Sequence, residues 1–170
     1  AEYVKKCASC YRRAADAVCE GQYTPEVASK YKDELSQVFN RGFWDGYYQG
    51  AYLGQWSDVY GSNATRKKVY CGKVTNWFDR IGVAEILVES AALRKGASAM
   101  AIGVTTGVVE FTVNDMRVNF KETELTEKGV RCSVAIKPDA ILKADGTPVE
   151  ETVTFERLHR GDKIYIWEEI

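Results

Sequence analysis

The sequence predicts a mainly β fold, a small antiparallel β-barrel preceded by two α-helices, and three observations support this prediction. Apolar residues in 2–39 recur at the three- and four-residue spacing of helices. From residue 69 onward they alternate in short runs rich in Val, Ile, Tyr and Thr, which glycine turns separate. No helical pattern interrupts those runs, which favours an antiparallel barrel or sandwich. The predicted domains are therefore a helical segment, 1–62, and a β-barrel, 63–170.

Two helices are expected at the start of the chain. The first helix should cover residues 2–20 and end at Gly21. The apolar positions of its amphipathic pattern are Val4, Cys7, Tyr11, Ala14, Ala15 and Val18. Thr24 offers a capping hydroxyl and Pro25 a preset first turn, so a second helix should run from Pro25 to about Phe39. Its expected buried stripe is Val27, Tyr31, Leu35 and Val38.

A segment rich in rings and glycines, "FNRGFWDGYYQGAYLGQW", follows the second helix. Asn40 and Gly42 can end that helix, which leaves the rings to anchor the helices, the barrel and a partner to one another. The alternative is that the rings seal the open end of the barrel. The predicted interface or substrate contacts are Arg41, Phe43, Trp44, Tyr47, Tyr48, Trp77 and Phe78.

Six segments have the alternation of β-strands. They are residues 68–77, 82–90, 98–104, 107–119, 130–137 and 163–169.

Composition limits the partners and the compartment. The net charge of −1 gives the whole molecule no field that attracts nucleic acid or an anionic membrane. No apolar run approaches the roughly 20 residues of a membrane helix. Five cysteines, an odd number, fit reduced thiols in the cytoplasm better than a disulfide framework.

Catalytic and metal sites have little support in the sequence. Cys7 and Cys10 can face one way on a helix, as a redox pair or half of a metal site. No second pair of ligands accompanies them, so buried thiols are the favoured interpretation. The lone His159 lies in a basic turn without a nucleophile nearby in sequence. We therefore predict no catalytic residue, no metal and no cofactor.

A basic run offers a different kind of contact. Arg66, Lys67, Lys68 and Lys73 could lie along one side of the barrel and touch RNA. The slightly acidic balance of the chain argues against this, since charge runs are usually solvated faces.

The sequence also resembles two known groups of proteins. The order of "GKVTNWFDRIGVAEILVES", "LRKGASAMAI", "KGVRCSVAI" and "RGDKIY" resembles the second-domain barrel of translational GTPases such as elongation factor Tu. That likeness concerns the fold alone, because the chain has no phosphate-binding loop. The segments "EYVKKCASCYRRAADA", "ELSQVFNRGFWDGYY" and "RKKVYCGKVTNWFDRIGVAEILVE" resemble the C-terminal part of the collagenase-like peptidases, family U32.

The U32 resemblance implies a noncatalytic accessory domain. The signature of that family lies in an upstream domain and does not occur here, so no catalytic residue can be assigned to this chain. The implied partner is the upstream catalytic domain, on which this region would dock and shape substrate access. The alternative that the resemblance also implies is an RNA-binding barrel that presents tRNA or rRNA to an upstream RNA-hydroxylation domain. A peptidase within this chain itself is the least supported hypothesis.

Overall fold

The computed structural model describes residues 1–38, 40–43, 50, 61–149 and 155–170. These residues form two compact units, Glu2–Lys67 with Glu169–Ile170, and Lys68–Glu168. The first contains the helices α1 (Glu2–Cys19) and α2 (Pro25–Ser36). Neither helix is long and apolar enough to cross a bilayer, as judged over the described residues.

The helix ends follow the local sequence signals. Gly21 has a φ of 69° just beyond α1, and the Thr24 hydroxyl accepts a hydrogen bond from the Val27 N–H at 3.3 Å. Helix α2 ends three residues earlier than predicted. The Asn40 side-chain amide donates to the Ser36 carbonyl at 3.1 Å and to the Val38 carbonyl at 2.8 Å. The C-cap is Gln37, and Asn40 satisfies the carbonyl of Ser36, the last residue of α2.

The stripes of the two helices had different outcomes. In α2 the predicted stripe is confirmed, with Tyr31 and Val38 buried and Val27 and Leu35 half-buried. In α1 the apolar pattern does not mark the buried face. Its buried residues are instead Glu2, Cys10, Arg13 and Ala17.

A salt bridge explains why α1 buries a polar face. The Arg13 guanidinium lies 2.6 Å from a Glu34 carboxylate oxygen of α2, with the Arg13 side chain only 7% exposed. The guanidinium carbon also lies 4.8 Å from the centroid of the Tyr31 ring. A bonded guanidinium over a ring fills the contact that an apolar stripe normally makes.

The second unit is built from antiparallel strands. They are β1 (Arg66–Phe78), β2 (Val83–Val88), β3 (Leu93–Arg94), β4 (Ser98–Gly103), β5 (Gly107–Thr112), β6 (Met116–Val118), β7 (Lys121–Glu122), β8 (Leu125–Thr126), β9 (Arg131–Ala135) and β10 (Lys163–Glu169). Eight of them form one sheet in the order β5-β4-β10-β1-β2-β9-β6-β7, and β3 pairs with β8. The predicted mainly β fold after two helices is confirmed.

The main sheet curls back on itself. Strands β5 and β6 stand six places apart in the sheet order, about 29 Å in a flat sheet. The chain from Thr112 to Met116 has four Cα steps and reaches at most about 15 Å. The sheet must therefore curve, as a small barrel requires, around a core that includes Val74, Ile86, Phe111, Met116, Val134 and Ile164.

One predicted strand was wrong in extent. Residues 107–119 form β5 and β6, with a break over 113–115. At the break, the Val113 N–H donates to the carbonyl of Ala97, while the carbonyl of Asp115 accepts from the N–H of Ala135 on β9. The chain changes pairing partner there, and alternation in sequence does not report such a change.

Candidate functional site

The lone histidine belongs to a hydrogen-bonded turn that does not have the order of a catalytic triad. The Thr106 hydroxyl donates to the Asp162 carboxylate at 2.5 Å and lies 2.8 Å from Nδ1 of His159. The same carboxylate accepts the backbone N–H of His159 at 2.8 Å. A triad needs the acid on the imidazole and the imidazole on the nucleophile. Here the Thr106 hydroxyl donates its hydrogen bond to the Asp162 carboxylate instead. These hydrogen bonds therefore stabilise the turn before β10.

The Cys-x-x-Cys pair is divided between the surface and the interior. Cys7 is exposed, whereas Cys10 is buried. Burial and the neighbouring Glu34 raise the pKa of the Cys10 thiol, although Arg13 opposes them. Burial likewise raises the pKa of Cys71 to about 12 and of Cys132 to about 11. Within the described ranges, no group of three or more His, Cys, Asp or Glu side chains is arranged to hold a metal.

The predicted RNA-contacting residues have different surroundings. Lys73 is exposed and its ammonium lies 2.7 Å from a carboxylate oxygen of Glu89. The ammonium of Lys68 lies 5.1 Å from the centroid of the Tyr165 ring. Lys67 is exposed and Arg66 is half-buried.

The predicted interface residues lie in several places. Arg41 and Phe43 are exposed, and the ammonium of Lys32 lies 5.5 Å from the centroid of the Phe43 ring. Trp77 is half-buried against the core, and Phe78 is exposed beside it in sequence. Trp44, Tyr47 and Tyr48 lie outside the described residues.

Helix α1 presents an apolar surface to solvent. Val4, Tyr11 and Val18 are 71%, 70% and 60% exposed, and seven-residue spacing places them along one side of the helix. We call these three residues the α1 outer face. The three side chains stand about 10 Å apart along the helix, at a rise of about 1.5 Å for each residue.

A second apolar surface lies on the outside of the sheet, along β9. This strand stands between β2 and β6 and presents the small side chains of Ser133 and Ala135 outward. The register places Ser133 opposite Glu85 and opposite Arg117, and Ala135 opposite Val83. Small side chains between longer ones leave a hollow along the strand, which we call the β9 trough.

Exposed apolar residues stand at both ends of the β9 trough. Phe78, the last residue of β1, and Ile81 of the β1–β2 turn lie at the Ala135 end, because the Gly82 carbonyl accepts the Ile136 N–H. Phe120, from the β6–β7 turn, lies at the other end. Ile81 is 68% exposed and Phe120 is 99% exposed. The hollow has a volume of about 530 Å³, within the usual size of ligand sites.

The charges along the trough balance. The Arg131 guanidinium lies 3.3 Å from a Glu85 carboxylate oxygen, and that of Arg117 lies 3.3 Å from an Asp115 oxygen. Two cations and two anions give no net field. Alternation predicts a single strand over 107–119 and so gives no sign of the trough, although Asn119 is a turn-forming residue type.

Comparison with known proteins connects the helical unit to a family. Residues 1–57 match the model of peptidase family U32. A collagenase of Porphyromonas gingivalis strain W83 is 44% identical over 162 residues, 95% of this chain and 36% of the relative. The resemblance to peptidase family U32 is confirmed. An uncharacterised protease of Methanocaldococcus jannaschii is 33% identical to this U32-like chain over 140 residues, 80% of the chain and 34% of the relative.

The U32-like chain spans about a third of the length of these curated relatives. Among solved structures, it is similar to the C-terminal domain of a Geobacillus thermoleovorans protein described as a U32 peptidase. That likeness has a TM-score of 0.44 and 10% identity, over 57% of this chain and 90% of the other.

Proposed function

We propose that this chain is a noncatalytic accessory module of a longer U32-type polypeptide. In this proposal it docks on the catalytic part of that polypeptide and shapes the access of a polypeptide substrate. The names of the relatives, collagenase and protease, supply the substrate class. The division into a helical segment, 1–62, and a β domain, 63–170, is part of the proposal, with the helical segment as the docking element.

The observation that carries the proposal is the α1 outer face. It lies within the residues that match the U32 family, and its three apolar side chains are each at least 60% exposed. Helix α1 does not use them to contact α2, because Arg13 and Cys10 occupy that side. A stripe of this kind is suited to a groove between helices or strands of a neighbouring domain.

The site chemistry supports an accessory rather than a catalytic role. In the described part of the chain, the histidine lies in a structural turn and the buried thiols have raised pKa values. A raised thiol pKa leaves little thiolate, which is the nucleophilic form. The reacting groups of the proposed parent enzyme are therefore assigned to its other part.

Association with the separately expressed upstream part of the parent polypeptide tests the proposal. We expect Tyr11→Ser to weaken binding by about tenfold, the effect of removing a central apolar anchor. Calorimetric titration measures the Kd. The thermal unfolding of the 170-residue chain should stay unchanged, since the ring is 70% exposed.

Tyr23→Ser is the matched control. Tyr23 is also an exposed ring of the helical unit, 46% exposed, but it lies in the connection between α1 and α2. Its replacement should leave the Kd unchanged. An unaltered Kd for Tyr11→Ser and for a Val4→Ser, Tyr11→Ser double variant would remove the support for docking through α1.

RNA presentation is the alternative proposal, and one observation favours it. The Lys68 ammonium over the Tyr165 ring, with Tyr70 edge-on to that ring at 5.6 Å, joins cation and aromatic groups as RNA-contacting surfaces do. Against it, the charge of Lys73 is offset by Glu89. A shift of tRNA in a gel that weakens steeply with salt would favour this alternative over docking alone.

A further inference from the structure

We infer that the β9 trough binds an extended, uncharged stretch of a substrate polypeptide whose apolar side chains stand four residues apart. This inference rests on the proposed function for the class of molecule, a polypeptide substrate. The trough itself lies wholly within residues 68–168, so its occupancy can be measured without any partner of α1.

The size of the trough sets the length of the ligand. Its floor follows β9 from Arg131 to Ala135, four residue steps or about 13 Å of extended chain. In an extended peptide, residues i and i+4 point to the same side and lie about 13 Å apart. One apolar side chain can then contact Phe120 while the other contacts Phe78 and Ile81.

The middle of the trough fits a peptide backbone with small side chains. Ser133 and Ala135 leave space above β9, and Ser133 offers a hydroxyl. The guanidinium groups of Arg117 and Arg131 belong to side chains that are 56% and 63% exposed. Each guanidinium has more donors than its one carboxylate partner uses, so N–H groups remain for peptide carbonyls.

The charge balance decides against a nucleic acid in this trough. Glu85 and Asp115 offset Arg117 and Arg131, so a polyanion gains no net attraction there and meets two carboxylates. An uncharged peptide meets donors, acceptors and apolar ends. The chemistry of the lining therefore favours peptide over RNA.

The turn that carries Phe120 supports a binding role. Asn119 and Phe120 have φ values of 49° and 65°, and left-handed backbone is rare for a bulky residue such as Phe. The ring makes no compensating burial, since it is 99% exposed. A left-handed backbone and an exposed ring at the same residue are expected where a bound ligand covers the ring.

The test uses the 170-residue chain and two capped peptides of identical composition. One, Ac-Phe-Ser-Ala-Ser-Phe-NH2, places its rings at i and i+4, on one side of an extended chain. The other, Ac-Phe-Ser-Ala-Phe-Ser-NH2, places them on opposite sides. We expect the first peptide to bind several-fold more tightly in a titration followed by amide NMR shifts. The shifts should be confined to residues 78–85, 115–120 and 131–135.

Three variants locate the binding. Phe120→Asn removes the ring but introduces a residue that tolerates left-handed backbone. This variant should bind the first peptide about tenfold less tightly. Ser133→Tyr should block the trough and abolish binding. Val104→Asn is the matched control, since Val104 is also a fully exposed apolar residue of the second unit but does not line the trough. Its replacement should change nothing.

Three results would overturn the inference. The two peptides could bind equally well, or the Phe120→Asn variant could bind the first peptide as tightly as the unchanged chain does. The third result is that an RNA oligonucleotide, but neither peptide, shifts the NMR signals of the trough. Rejecting peptide binding at the trough does not affect the proposal that α1 docks on the catalytic part, because the docking test measures a different surface and a different partner.

Discussion

At the scale of single residues, the buried contact between the two helices is polar. Arg13 donates to both carboxylate oxygens of Glu34, at 3.2 and 2.6 Å, and to the Cys10 sulfur at 3.2 Å. In the sequence, Arg13 lies between Tyr11 and Ala14, two positions of the predicted apolar stripe. Nothing local distinguishes this arginine from its neighbour Arg12, whose pairing with Asp16 is exposed to solvent.

The first prediction concerns the stability of this buried pair. Arg13→Ala should lower the free energy of unfolding of the helical unit by about 2–3 kcal/mol, because it leaves a half-buried carboxylate without its cation. Arg12→Ala, the matched control, should cost less than about 0.5 kcal/mol, since exposed helix pairs contribute little. Urea unfolding followed by circular dichroism measures both. Equal effects would show that burial of the pair does not matter.

The same pair predicts a pH dependence. Burial raises the pKa of the Glu34 carboxyl, but the hydrogen bonds and charge of Arg13 outweigh it and hold the pKa below the ordinary 4.5. A depressed folded-state pKa gives stability that is full above the unfolded value and is lost as pH falls through the folded value. Glu34→Gln should remove that part of the acid sensitivity. An unchanged acid slope in the variant would contradict the assignment.

At the scale of elements, a helix and a tight turn both present apolar groups to solvent. Helix α1 does so along the α1 outer face, and the β6–β7 turn does so with Phe120. The pairing of Val118 with Lys121 leaves a two-residue turn in which both φ values are positive. That is the pattern of a type I′ turn, where Asn-Gly is the favoured sequence and Asn-Phe is not.

We therefore expect Phe120→Gly to stabilise the second unit by about 1 kcal/mol, because glycine adopts the left-handed backbone without strain. The same variant should bind the i, i+4 peptide less well. Chemical denaturation gives the first quantity and the NMR titration the second. A loss of stability would mean that the Phe120 ring makes contacts that its 99% exposure does not reveal.

At the scale of the whole molecule, the chain combines a helical unit that matches the U32 family model with a β-rich unit that carries a ligand-sized trough. The chain aligns with about a third of the length of the relatives named collagenase and protease. The two exposed apolar surfaces lie in different units, one on α1 and one along β9. In our two proposals, docking and substrate contact therefore belong to separate parts of the chain.

This proposal predicts that the 170-residue chain does not cleave gelatin, because the Thr106 hydroxyl beside His159 donates its proton to Asp162, and the buried thiols have raised pKa values. A gelatin zymogram of the purified chain measures this. Cleavage that persists through further purification, and that Cys7→Ser or His159→Ala abolishes, would contradict the noncatalytic role.

Much of the fold followed from local signals. The start of α2 depends on Thr24 and Pro25, and most of the strands depend on alternation, so neighbouring residues suffice to predict them. The exchange of partners after Thr112 and the short strands β3, β7 and β8 were missed. Strands of two residues contain too few positions for alternation to be recognised.

The sequence by itself determined the order of helices and strands, the family resemblance and the lack of a complete catalytic motif. Each of these depends on residue types at fixed spacing. Only the tertiary structure decided which side of α1 is buried, since Glu34 reaches Arg13 across 21 positions. It also decided that Phe78, Ile81 and Phe120 border one trough, because the register of β2, β9 and β6 sets their neighbours. Contacts between residues distant in sequence arise from pairing geometry, which no local pattern encodes.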